Sequence, residues 1–543
     1  LVVLIVDQLG AWVLDARWAS LAEDGGFARL RREGLYAPEL RYEHATTSTA
    51  PGHAALFTGL PPRGSGIFAN ERLHETSRKV VSILADDETH EVEQSVLEKT
   101  SSSAKLLQSP SLADALRAQR PNARIIALSL KDRAAIFGGG RSPDASIWFD
   151  AERGRFVTST AFGSQLPGWA LAENTKLPGV LSGSWRALDE SWLEQHAPTA
   201  DAQNGEGDLG AGSHFPYDFS HAEKPGLLFR GTPNADEALL ELASGALADG
   251  PRERQTLLVV SLSALDYVGH VYGPDSWESW EELRRLDARL GRFLSELEQR
   301  GQPFGLMLSA DHGSTVLPET AGNERARPWC KLGAKNYFEL PCDAGGRLYR
   351  DELEQSLRKA AGSALGEGDY IRGVVEPFVY FTSTALALDA TRRAKLEQAC
   401  SVALLGYTQI ARVIVSRAMS GPCPAVSDES IDALVCRSLP AGAGELYIVT
   451  RPGSFFDPNL ARAHGINHGT PYLYDRTVPV LIRAPDGTAA GRTWSGRVRP
   501  ADFTVTAAAL LGIEPPSGAA GGRNLLRASL ALGDLGRPDH DRR

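Results

Sequence analysis

Cysteine is scarce in this chain, with five residues in 543. Cys330, Cys342, Cys400, Cys423 and Cys436 contain no Cys-x-x-Cys pair, which disfavours a zinc ribbon and leaves room for one or two disulfides with at least one thiol over. Long apolar runs are missing as well: residues 1–6 form the longest near the start, far short of the roughly eighteen residues that would mark a membrane-spanning helix. No long cluster of Lys and Arg occurs and the net charge is −10, so a nucleic-acid backbone has nothing to grip, and we expect small-molecule partners instead. The chain also lacks an initiator methionine and opens directly in a buried-looking strand, from which we expect residues upstream of Leu1, with a cleaved export signal as one candidate. What is present, 42% hydrophobic and 23% charged residues, suits a large soluble core in one domain with insertions, or in two domains.

Leu1-Val-Val-Leu-Ile-Val6 reads as a strand buried on both faces, ending on Asp7. Residues 12–34 read as helical, and a second helix starts near Thr49 and stops at Gly59-Leu-Pro-Pro62. Residues 72–108 are polar and read as a surface insertion with little chemistry. A short helix at 112–120, closed by Pro121, precedes the strand 124–129 and then Lys131-Asp-Arg133. Gly, Ser, Pro and aromatic residues dominate 138–227 without periodicity, which predicts ordered loops forming a lid or wall.

The strand 255–262 runs into Ala264-Leu-Asp266-Tyr-Val-Gly-His270. Leu283, Leu286, Leu290, Phe293, Leu294 and Leu297 then mark a helix that Asp275 or Ser276 can cap. The strand 304–309 leads to Asp311-His312-Gly313. Strands near 378–381 and 413–415 around a helix from about 391 to 405 predict a small α+β insertion over 316–445, with 445–450 as a candidate last strand. Then come Gly465-Ile-Asn-His468-Gly469, a strand at 478–482, a helix at 502–511 and a peripheral tail. The prediction is an α/β protein, a three-layer α/β/α sandwich with a mostly parallel sheet. Its core spans 1–315 and 446–530, and the tail 531–543.

In such a sheet, ligands bind beyond the carboxyl ends of the strands. Asp7, Lys131 with Arg133, Asp266 with His270, and Asp311 with His312 all follow strands there. Adding His468 gives three Asp and three His, a donor set that suits zinc. The four-residue step from Asp266 to His270 puts both on one face of a turn, while the adjacent Asp311 and His312 can reach towards neighbouring ions, so two metals are favoured over one. Thr49, at a helix start where anions bind, is the candidate nucleophile and itself a plausible N-cap. It is preferred over Thr46, Thr47 and Ser48 because it alone directly precedes Ala-Pro. His53 is expected to be packed or to support a ligand, and His464, which could compete with His468 as a ligand, to support the site or lie outside it. His44, His74, His90, His196, His214, His221 and His540 receive structural roles only.

The ordered motifs Asp7, Thr49-Ala-Pro-Gly-His53, Gly66-Ile-Phe-Ala-Asn70, Ser129-Leu-Lys131-Asp-Arg133, Asp266-x-x-x-His270, Asp311-His312-Gly313 and His468-Gly469 span most of the chain. Together they resemble the alkaline phosphatase superfamily, and within it the bacterial alkaline phosphatases that use threonine. The resemblance implies two zinc ions, one held by Asp266, His270 and His468, the other by Asp7, Asp311 and His312 with Thr49 bridging towards it. It further implies a covalent phosphothreonine, release of inorganic phosphate, turnover favoured by alkaline conditions, and export to the periplasm or the medium.

Phosphodiesterases of the same superfamily share the metals and the threonine. Lys131 and Arg133 favour a monoester, whose dianion needs more cationic charge, and the resemblance adds Asn70 as a donor to another oxygen. A phosphodiesterase, a metal-dependent mutase and a non-catalytic zinc or phosphate binder remain as alternatives. A sulfatase is disfavoured because Thr49 cannot replace the modified Cys or Ser of its Cys/Ser-x-Pro-x-Arg motif.

Overall fold

A sheet of eleven strands runs through the molecule; a computed structural model describes residues 1–74, 77–251, 253–331, 336–457 and 463–531. Seven of its strands concern the site: β1 (Val2–Val6), β2 (Leu35–Arg41), β3 (Arg124–Ser129), β4 (Ala145–Asp150), β5 (Thr256–Leu262), β6 (Leu306–Ser309) and β7 (Thr477–Arg483). Their order in space is β2-β7-β6-β1-β5-β3-β4. Strands β6, β1, β5, β3 and β4 are parallel, and β7 is antiparallel to both β6 and β2.

The unbroken apolar run of β1 sits at the middle of this sheet with every residue at 4% exposure or less, as a strand covered on both faces requires. Val6 lies opposite Leu262, Ile5 opposite Ser309 and Ser261 opposite Ser129. That register ends four strands at one edge, so the residues that follow them leave the sheet together.

Four helices carry or brace the site: α1 (Thr49–Thr58), α2 (Asp132–Gly139), α3 (Ala264–Tyr272) and α4 (Trp277–Gln299). Helix α4 begins where Ser276 Oγ accepts from the Ser279 amide at 3.1 Å, one of the two caps the sequence offered. Its six predicted apolar positions are all buried.

A second, four-stranded antiparallel sheet is formed by Ile371–Val375, Phe378–Phe381, Leu446–Thr450 and Ile410–Val415. Helices Arg350–Leu365 and Ala390–Leu405 share a hydrophobic cluster with it through Leu353, Leu357, Leu396 and Cys400. Its other side meets the core, where Phe378 packs edge-on against Phe68 with ring centres 5.3 Å apart. Leu446–Thr450 pairs inside the small sheet as the last strand that 445–450 was a candidate for, so the boundary lies one strand beyond the 445 given for the insertion.

Three other expectations are corrected. The region 72–108 supplies Ala85–Val92 and Val96–Ser102, which extend the large sheet at its edge; their alternating, largely polar side chains conceal a half-exposed hairpin. The region 138–227 holds β4, the strand Arg155–Ser159 and the helix Gly168–Leu181 as well as loops. The helical stretch 12–34 is two helices, Ala11–Arg17 and Gly26–Glu33, separated by a short 3-10 turn and loop. Cys330 pairs with Cys342 and Cys423 with Cys436, leaving Cys400 free and buried. The tail placed at 531–543 lies outside the described residues apart from Ala531, which ends a helix.

Candidate active site

The turn into α1 brings four adjacent hydroxyls to the sheet edge, and their partners separate them. Thr46 Oγ1 is engaged with Tyr447 Oη at 3.1 Å, and Thr47 Oγ1 donates to the Thr470 carbonyl at 2.8 Å. Ser48 Oγ is buried without a partner. Thr49 Oγ1 accepts from Lys131 Nζ at 3.3 Å, among the predicted ligands.

Ser48, whose φ is −135°, is the last extended residue, so the N-cap falls there rather than on Thr49, and neither hydroxyl makes a capping bond. The Thr49 side chain is thus free of the role that most helix-start threonines have. Gly52 permits the approach: a Cβ there would lie 2.2 Å from the Asp311 carbonyl oxygen.

Two trios of side chains flank Thr49. In each of Asp7/Asp311/His312 and Asp266/His270/His468, one ligand atom per residue lies within 4.8 Å of the others. Every histidine is aimed through its far nitrogen. Nδ1 of His270 meets the Ile466 carbonyl at 2.9 Å, Nδ1 of His468 the Thr47 carbonyl at 2.8 Å and Nδ1 of His312 the Gly313 carbonyl at 3.0 Å. A carbonyl can only accept, so Nδ1 carries the proton and Nε2 keeps its lone pair for the site.

Those lone pairs face carboxylates. His270 Nε2 is 3.3 Å from Asp266 Oδ1, and His312 Nε2 is 3.4 Å from Asp7 Oδ1. Both atoms of the latter pair are buried without a hydrogen-bond partner. Two acceptors facing one another with no proton between them repel, and burial of such atoms is costly. A shared cation turns the contact into attraction, and three carboxylates with three imidazoles are donors that fit zinc.

Lys131 enters from the end of β3 and bridges the trios, with Nζ 2.6 Å from Asp7 Oδ2 and 2.5 Å from Asp266 Oδ2. Arg133, in the first turn of α2, forms its one ion pair among the described residues with Asp132, at 3.8 Å, and its Nε lacks a partner. Its guanidinium keeps donors to spare. Asn70 Oδ1 accepts from the Ala50 amide at 2.8 Å, which leaves its amide NH₂ as a donor near the start of α1.

Charge and burial set the protonation states. Burial pushes the Asp7 carboxyl well above the usual range, and Asp266 and Asp311 beside it push it further. Burial also works against the Asp266 carboxylate, but Lys131 and then His270 outweigh it and hold that carboxyl low. Burial depresses His468, helped by His312 and His270, and depresses His312 as well. The Lys131 ammonium, opposed by burial, is held charged by Asp266 and Asp7. Burial thus favours neutral imidazoles at His312 and His468, and Asp266 keeps its negative charge beside them, the condition for binding a cation.

The two trios, Thr49 and Lys131 meet at one place, with Asn70 against the start of α1 and Arg133 in the first turn of α2. His53 supports it from α1, with Nδ1 2.9 Å from the Thr49 carbonyl and 3.2 Å from Asp311 Oδ2, and Nε2 2.9 Å from Ser261 Oγ. His464 is exposed, and His540 lies outside the described residues. The sequence reading missed Gln8, which donates from Nε2 to Asp266 Oδ1 at 2.8 Å and from its backbone to Asp311 Oδ1 at 3.2 Å. Its φ of 68° is left-handed; only its place directly after Asp7 could have signalled it. Tyr267 and Arg230, at the rim, were missed too. A cavity of about 640 Å³ between Trp12, Trp280, Trp329 and Arg327 shares no residue with the site.

The sequence profile of the type I phosphodiesterase / nucleotide pyrophosphatase family matches residues 1–336. The chain belongs to that family. It is similar to alkaline phosphatase PhoV of Synechococcus elongatus, 27% identical over 532 residues that cover 95% of this chain and 90% of that protein. It is likewise similar to alkaline phosphatase PafA of Elizabethkingia meningoseptica, 26% identical over 537 residues, covering 95% and 92%. The crystal structure of wild-type PafA superposes with a TM-score of 0.82 at 26% identity over 96% of this chain and 97% of that one. The three-layer α/β architecture is shared across that length.

Proposed function

We propose that this member of the family is an alkaline phosphatase that hydrolyses phosphate monoesters through a covalent phosphothreonine. The observation that carries the reading is the position of Thr49 Oγ1, at a helix start between two Asp/His trios and within 3.3 Å of Lys131 Nζ. The names of PhoV and PafA point the same way.

Asp266, His270 and His468 would hold one zinc ion, and Asp7, Asp311 and His312 the other. When bound, the two ions would supply Lewis-acid charge that lowers the pKa of the Thr49 hydroxyl and offsets charge on the leaving oxygen. The remaining work falls to side chains. Thr49 Oγ forms a bond to phosphorus as the ester P–O bond breaks and the alcohol departs. Water then attacks the same phosphorus, Thr49 Oγ leaves, and inorganic phosphate is released. The Asn70 amide, Arg133 and Lys131 bind the non-bridging oxygens. His53 and Gln8 hold Asp311 and Asp266 in place. Two disulfides fit an oxidising compartment such as the periplasm or the medium, and among the described residues no helix is long and apolar enough to cross a membrane.

Incubation of the zinc-loaded protein with an aryl phosphate, followed by acid quench and peptide mass analysis, should find phosphate on Thr49, and Thr49→Ala should lose about a thousandfold or more in kcat/KM. No turnover and no label would sink the reading. The family assignment itself favours a second one, a phosphodiesterase. Lys131→Ala with Arg133→Ala separates the two: a monoesterase loses monoester turnover by about a hundredfold or more while diester turnover is spared, whereas a diesterase barely changes with monoesters.

A further inference from the structure

Arg230 follows the short helix Pro225–Phe229 and leans on Tyr267, the residue after Asp266. Its Cζ lies 4.3 Å from the centre of the Tyr267 ring, and Nη1 donates to the phenol oxygen at 3.2 Å. Lys131 Nζ lies 5.1 Å from the same ring centre, so the two cations cannot be further apart than those two distances combined. The partners of this guanidinium set it apart. Arg289 and Arg155 are matched by Glu237 and Glu93, but Arg230 makes no salt bridge among the described residues, and its Nε is shielded without a partner.

Lys131 and Arg230 thus share one tyrosine, and Arg133 stands two residues beyond Lys131, in the first turn of α2. Lys131 and Arg133 suffice for a single phosphoryl dianion. A third cation beside them adds repulsion unless the ligand brings further negative charge. The aromatic face keeps Arg230 in position, so little side-chain freedom is lost when an anion docks.

We propose that Arg230, held by Tyr267, forms a subsite for a second phosphoryl group carried by the leaving group of the substrate, as in pyrophosphate, nucleoside polyphosphates or bisphosphorylated alcohols. The inference rests on the phosphatase reading and deepens it. Arg230 selects among substrates, whereas Thr49, Lys131 and Arg133 act on all of them. A planar guanidinium can take two oxygens of that second group at once.

Zinc-loaded wild type, Arg230→Gln and Arg230→Lys are compared at one ionic strength with pyrophosphate and with p-nitrophenyl phosphate. The ratio of the two kcat/KM values should fall about tenfold in Arg230→Gln and recover most of that in Arg230→Lys. In the wild type the ratio should shrink as salt is raised. Calorimetry gives a readout without turnover: in Thr49→Ala, pyrophosphate should bind about tenfold more tightly than phosphate, and adding Arg230→Gln should erase that margin. A ratio and a margin both unchanged within about twofold in Arg230→Gln would overturn the subsite. Wild-type protein without activity on either ester would instead overturn the phosphatase reading, with the calorimetric margin still deciding for or against Arg230.

Discussion

The two Asp/His trios share a composition but not a construction. Asp7, Asp311 and His312 leave adjacent parallel strands, β1 and β6, and are 0% exposed. Asp266 and His270 belong to α3, and His468 arrives on a loop from beyond the small sheet; here the His270 side chain is 11% exposed and that of His468 4%. The first trio is fixed by sheet hydrogen bonds that cannot shift without breaking the core. The second depends on a helix start and a long excursion of the chain. An ion in the first should be slow to leave and intolerant of altered ligands, and one in the second should exchange with solvent.

The most severe test replaces one ligand in each. Asp311→Asn should lower kcat/KM by about a thousandfold or more, with little recovery on adding zinc. His270→Ala should cost about a hundredfold and recover substantially in excess zinc. Equal losses and equal rescue would erase the distinction. A milder probe is removal of metal by a chelator, followed by elemental analysis with time. Two phases are expected, with activity lost in the fast one, because the proposed mechanism uses both ions; a single phase would place both in one exchange class. The smallest expected effect comes from Gln8, which touches both trios. Gln8→Gly keeps the left-handed backbone at ease and removes only the amide, so kcat/KM should fall about tenfold with metal content unchanged.

Legibility in the sequence followed the same division. Asp7, Lys131, Asp266 and Asp311 could be read because each follows a run such as Leu257-Leu-Val-Val260, whose burial leaves no other reading. The step from Asp266 to His270 likewise shows in the helical period. By contrast, Ala85–Val92 and Val96–Ser102 looked like polar loop because an edge hairpin with one wet face carries too few apolar residues to announce itself. Arg230 could not be found, since its role depends on what it lacks in space, an acidic partner. The strand β2 was hidden for a related reason: Leu35–Arg41 contains Pro38 and charged residues, and it becomes a strand only by pairing with chain from the other end.

That pairing carries a consequence for how the molecule is made. Strand β7 lies between β6 and β2, so β2 waits without its main partner until residues 477–483 have emerged from the ribosome. The catalytic edge is also incomplete until His468, just before it, has arrived. Folding is therefore expected to be a late, single event with slow, long-range closure, and a nascent or truncated chain would carry an open sheet edge on each side of the gap, ready to pair with another chain.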